Sequence, residues 1–220
     1  MEELSCETVF TIPVFGGLNI SESTVLTWII IAVLAVLCLV FVRNLRVENP
    51  GKKQQVLELA VGGLYHIFDD ILGEKGRRYI PFLMSILVYL GISNMIGIFG
   101  LKPPTKDLNV TAALAILSII LIEYSGFYAK GGRGFIRSFA QPMAIMTPIN
   151  ILEVFIRPLS LCMRLFGNIL GGFVVMELIK YFFPAIIPVP FSFYFDIFDG
   201  LIQAYVFVFL TSLFIKEAID

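Results

Sequence analysis

Long uncharged apolar runs alternate with short charged ones along this chain. Residues 24–42 carry no charge, and Arg43 and Arg46 close the run. A helix of that length crosses a hydrocarbon core of about 30 Å. Glu48-Asn49-Pro50-Gly51-Lys52-Lys53 then reads as an aqueous turn. The pattern changes over residues 54–72, where Val56, Leu57, Ala60, Val61, Leu64, Ile67, Phe68, Ile71 and Leu72 recur at helical spacing. Glu58, His66, Asp69 and Asp70 occupy the other side. That periodicity predicts an amphipathic helix on the membrane surface or against the bundle, not a span.

Two uncharged or nearly uncharged spans follow, at residues 79–101 and 109–128, joined by Lys102-Pro103-Pro104-Thr105-Lys106-Asp107. After a basic loop, residues 141–183 are mostly apolar. As one helix this stretch would run about 64 Å, twice the hydrocarbon thickness, so it must tilt strongly or kink at Pro148 and Pro158. Pro184, Pro188 and Pro190 mark a turn before a last apolar helix at residues 191–215. The pattern predicts an all-α polytopic membrane protein built as a single membrane domain, with residues 1–23 as an outer N-terminal segment. It has five membrane-embedded helices and one amphipathic surface helix, the last two spans forming a long, strongly tilted hairpin.

Composition agrees. Of 220 residues, 58% are hydrophobic and only 15% charged, with a mean hydropathy of +0.89. A soluble domain of this size could not bury so much apolar surface. The net charge of -1 decides nothing, but its distribution does. With the first connection inside, Arg43, Arg46, Lys52, Lys53, Lys75, Arg77, Arg78, Lys130, Arg133, Arg137 and Lys216 share one side, against Lys102, Lys106 and Lys180 on the other. The positive-inside rule then puts the N-terminus outside and the C-terminus in the cytoplasm. Cys6, Cys38 and Cys162 follow no metal spacing and read as small packing residues.

Two basic residues remain, Arg157 and Arg164, and both lie in the long helix. Seven apart, they share roughly one face. Glu153 precedes Arg157 by four, which favours a structural ion pair. Arg164 has no acid three or four residues away; its polar neighbour at that spacing is Asn168. A charge at bilayer depth costs at least about 2.5–3.5 kcal/mol, so an arginine without a local partner implies a carboxylate from another helix or subunit. Arginine also keeps its proton when desolvated. Ser160, Gly167 and Gly171 make the surrounding face small, and Gly167 with Gly171 forms a step that admits a closely packed helix. Glu177 and Asp196 come level if the hairpin folds near residue 186, which suggests a hydrated outer polar pocket. Glu153 lies toward the inner end, and Gln203 lies about 9 Å along the axis from Arg164.

Three segments carry a resemblance. Arg157-Pro158-Leu159-Ser160-Leu161-Cys162-Met163-Arg164-Leu165-Phe166-Gly167-Asn168 resembles the hallmark of the F-type ATP synthase subunit a family. Leu201-Ile202-Gln203-Ala204-Tyr205-Val206-Phe207 is similar to its last-helix motif, and residues 104–111 to its loop before the next span. The resemblance implies a non-catalytic stator subunit beside a rotating ring of c subunits, anchored by a peripheral stalk of b subunits in a bacterial plasma membrane. Two offset half-channels would carry protons, or sodium ions, to and from the ring carboxylates. It also implies that Arg164 attracts a deprotonated ring carboxylate and keeps the half-channels apart, with Asn168 and Gln203 close to it. Asp107, Glu177 and Asp196 would line the outer half-channel, and Glu153 the inner side. Many proton-type relatives carry an acid or histidine nine residues after this arginine; here the position is Phe173.

No cofactor or nucleic-acid partner is implied. A self-contained secondary transporter with Arg164 as an anion ligand is the alternative, but such folds often repeat their halves and no repeat is visible here. An intramembrane enzyme has less support, because Ser160 without a histidine is a poor nucleophile.

Overall fold

The computed structural model describes residues 8–12, 18–43, 51–138, 147–182 and 188–220. The described residues are mainly helical, with one short hairpin in which β1 (Thr8–Ile12) pairs antiparallel with β2 (Leu18–Ser21) ahead of the first span. The apolar pattern did not announce this hairpin. The helix α1 (Glu22–Val42) is apolar all round, and of its residues Ile30 alone is buried. Such a helix suits lipid rather than a protein core. Cys38 is exposed on it.

The amphipathic helix α2 (Lys52–Gly76) contains a break at Gly73, whose φ of 65° suits a residue without a Cβ. The break lies one residue beyond the end predicted from periodicity. Phe68 and Leu72 point into the core, whereas Val56, Leu59 and Val61 are exposed, as an apolar face resting on lipid would be. His66 is also exposed, on the polar side. Arg77 reaches back to Asp69 through two hydrogen bonds of 2.7 and 3.0 Å. That guanidinium holds the Asp69 carboxyl below its ordinary pKa.

The second span is α3 (Ile80–Met95), extended by a 3-10 turn to Phe99 and closed by left-handed Gly100. The third, α4 (Leu108–Ser138), is interrupted at Gly131, with φ 70°, inside the predicted basic loop. The long helix α5 (Thr147–Phe182) has 36 residues and measures about 54 Å at 1.5 Å per residue. Its predicted first residues, 141–146, and the hairpin turn at 183–187 lie outside the described residues. The last element is longer than its apolar pattern suggests. It comprises α6 (Pro188–Ser192), a π-helical segment Phe193–Asp199, and α7 (Gly200–Ile219). Among the described residues, five helical stretches are long and apolar enough to cross a membrane, as the sequence predicted.

The helix α7 is the hub, packing against α2, α3, α4 and α5. Its Ala204, Phe207, Val208 and Ile215 meet Leu83 and Leu90 of α3, Ile122 of α4 and Leu165 of α5 in one core cluster. Along α4 the buried seam is Thr111, Ala115, Ser118, Ile122 and Ser125, spaced by alternate fours and threes. Small side chains at such a seam let membrane helices approach closely, where no hydrophobic drive exists between them.

A polar cavity and an open arginine face

Arg164 is exposed on α5, and among the described residues it has no ion-pair or hydrogen-bond partner. Ser160, Gly167, Asn168 and Gly171 are exposed along the same outward stripe. A Cβ added at Gly167 or Gly171 would meet nothing within 4 Å. These two glycines therefore leave open space, and among the described residues no helix packs on them. Gly172 differs: its added Cβ would lie 3.3 Å from Phe195 Cδ1, so it belongs to the contact between α5 and the last element.

Beside that stripe lies a cavity of about 630 Å³ between α3, α5 and the π segment. Its wall includes Asn94, Lys102, Asn168, Glu177, Lys180, Ser192, Asp196 and Asp199. Glu177 and Asp196, expected to come level, do share it. Asn168 is a wall residue one helical turn from Arg164, so the cavity reaches the arginine face. Glu177 is paired with Lys180 at 2.8 Å. Asp196 accepts the Ser192 hydroxyl at 2.5 Å and presses on Gly97, where an added Cβ would stand 2.6 Å from Asp196 Oδ1. The π turn matters here, because its wider winding changes which side chains face the cavity; such turns recur at functional sites.

Gln203 is buried within the bundle, one turn after Asp199. Asp107 is not in the cavity wall. It takes the Asn109 amide on Oδ1 at 2.9 Å and the Ser21 hydroxyl on Oδ2 at 3.3 Å, capping α4 and tying it to the start of α1. Next to it, buried Lys106 places its ammonium 3.8 Å from the centroid of the Phe173 ring. The phenyl ring at this position is thus a cation–π acceptor for the connecting loop.

At the other end of α5, Glu153 pairs with Arg157 at 2.8 Å, as the spacing predicted. Arg157 also pairs with Glu217 at 2.8 Å and lies 4.9 Å from the Phe214 ring centroid, which clamps α5 to α7. Sequence reasoning missed four participants: Asn94, Asp199, Lys180 as the partner of Glu177, and Glu217. Asp199 carried a signal, an acid in an apolar helix four residues before Gln203. Lys180 carried one too, three residues after Glu177 on the same helix, whereas Asn94 and Glu217 act through contacts between segments distant in sequence.

Comparison with known proteins agrees with this arrangement. The sequence model of the ATP synthase A chain family matches residues 24–216. The chain is 36% identical to ATP synthase subunit a of Moorella thermoacetica, over 92% of both chains. It is 34% identical to ATP synthase subunit a 2 of a Bradyrhizobium species, over 93% of this chain and 91% of that one. A sodium ion specific ATP synthase subunit a of Propionigenium modestum is 31% identical, over 92% of this chain and 75% of that one. An exposed, unpartnered arginine beside a polar cavity in a bundle of spanning helices, together with a match over nearly the whole chain, shows that this protein belongs to the ATP synthase A chain family.

Proposed function

We propose that this subunit is the stator of the membrane sector, and that the stripe of Ser160, Arg164, Gly167 and Gly171 faces a ring of c subunits. The reading rests on one observation: Arg164 is exposed and unpaired on a face whose glycines meet nothing in their own chain. A permanent cation at membrane depth needs a counter-charge, and an open small-residue face admits the helix that brings it. The counter-charge is the deprotonated ring carboxylate. The cavity lined by Glu177, Asp196 and Asn168 is the outer half-channel. Glu153, near the Arg157 clamp, lies on the inner side, and Asp107 stands behind the cavity as a cap and tether.

The cycle follows from electrostatics. A proton from outside neutralises a ring carboxylate, and the neutral site can turn into lipid at little desolvation cost. A charged site is held at Arg164 until it is neutralised, so rotation and ion flow stay coupled. ATP is made or hydrolysed by partner subunits, and the stalk of b subunits holds this chain against the turning ring. Basic-residue asymmetry supports placement in a bacterial plasma membrane with the N-terminus outside.

The similarity to a subunit named as sodium ion specific favours a second reading in which sodium is the ion. The test uses the assembled complex in inverted vesicles. ATP-driven acidification without added sodium supports protons, whereas transport that requires sodium supports the second reading. Uptake by the purified subunit alone would overturn both in favour of a secondary transporter.

A further inference from the structure

The proposed outer path contains three carboxyls, and their surroundings differ. Glu177 is neutralised by Lys180 at 2.8 Å. Asp196 is held by Ser192 and by the close approach of Gly97. Asp199 lies between Asp196 and Gln203 in the chain, lines the same cavity one turn before the neutral Gln203 amide, and has no ion pair among the described residues. It can therefore change protonation without breaking an ion pair.

Its backbone is also fixed. The Asn94 amide donates to the Gly200 carbonyl at 2.8 Å, while Thr105 donates to Asn94 Oδ1 at 2.8 Å. An added Cβ on Gly200 would stand 3.0 Å from Asn94 Cβ. The residue after Asp199 is thus pinned where the π segment becomes α7. From there α7 continues inward to buried Gln203, about 4.5 Å further along the axis.

We propose that Asp199 is the innermost carboxyl of the outer path, handing its proton to the ring carboxylate opposite Arg164, with Gln203 orienting it. This assignment rests on the stator reading above. One O–H bond breaks at Asp199 and one forms at the ring carboxylate. The Asp199 carboxylate, one turn from the Gln203 amide, regains a proton from hydronium in the cavity. The charged groups sharing that cavity are Lys102 from the connecting loop, Glu177 and Lys180 from α5, and Asp196 from the π segment; α3 contributes neutral Asn94. Glu177 has a cation partner and Asp196 a hydroxyl partner, so the hand-over falls to Asp199.

The test is ATP-driven pumping by assembled complexes in inverted vesicles. Asp199→Asn should still co-purify with the ring but pump about a hundredfold less, the lower end of what a positioned proton-transfer group contributes. Asp199→Glu should restore pumping with a displaced pH profile, a change that a purely structural role would not produce. Near-normal pumping by Asp199→Asn, with Asp196→Asn impaired, would overturn this assignment and leave the outer cavity standing. Normal pumping by Asp199→Asn, Asp196→Asn and Glu177→Gln alike would overturn the cavity as a path. If Asp199→Asn does not assemble, Asp199→Glu decides: a displaced pH profile supports the relay, and an unchanged one refutes it.

Discussion

Replacing Gly171 by Leu should leave the subunit intact and damage its work. A Cβ there meets nothing within 4 Å, so the new side chain starts into open space rather than into a packed neighbour. In the helix it gains about 0.8 kcal/mol over glycine in propensity. The cost falls on whatever packs against the stripe. Helix axes separate by about 8–10 Å depending on contact side chains, so a leucine in place of a glycine displaces a docked helix by about 2 Å. An arginine–carboxylate attraction of about 4 kcal/mol at 4 Å, for an effective dielectric of 20, falls to about 2.8 kcal/mol at 6 Å. The difference weakens the hold on a ring carboxylate by about tenfold. Gly172→Leu is the contrast, because its Cβ would already press Phe195 at 3.3 Å. Overpacking of that kind costs about 1–3 kcal/mol within the subunit. Thermal melting of the complex and ATP-driven pumping separate the two: Gly171→Leu should melt normally and pump poorly, and Gly172→Leu should melt early. Normal pumping by Gly171→Leu would refute the placement of this face against the ring.

Other consequences follow from named contacts. Gly97→Ala must push the Asp196 carboxylate aside, since the new methyl would stand 2.6 Å from Oδ1; pumping should fall while the ring still co-purifies, and unchanged pumping would remove Asp196 from the path. Arg157→Ala loses two partly exposed ion pairs and a cation–π contact, and should lower the stability of the complex by about 1–2 kcal/mol as read by thermal melting. Because Arg77 lowers the Asp69 pKa, the pair's small contribution is complete above the ordinary carboxylate range near about pH 4 and disappears as pH falls through the lowered value. Asp69→Asn should flatten that acid limb of the melting profile.

What the sequence disclosed was whatever lies along one helix. Apolar run length located the spans, the i,i+4 spacing identified the Glu153–Arg157 pair, and periodicity stopped within a residue of the Gly73 break. Arg164 was legible because a lone arginine in an apolar helix is costly wherever the helix packs. The rest was hidden for two physical reasons. Contacts between helices distant in sequence, such as Asn94 with Gly200 or Arg157 with Glu217, leave no periodic trace. The π segment at Phe193–Asp199 also winds more widely than an α-helix, so counting by 3.6 residues misjudges which acids face the cavity. Asp107 shows the opposite limit: the resemblance implied a place in the outer path, yet its hydrogen bonds make it a cap outside the cavity wall.

The central claim is that Arg164 is a barrier that a moving carboxylate must pass. Passive ion flux through complexes stripped of their catalytic sector, compared between the unmodified protein and Arg164→Gln, tests it most directly when paired with ATP-driven pumping. The account predicts that Arg164→Gln complexes assemble, leak ions between the two half-channels, and no longer pump. Normal pumping without a leak would contradict it.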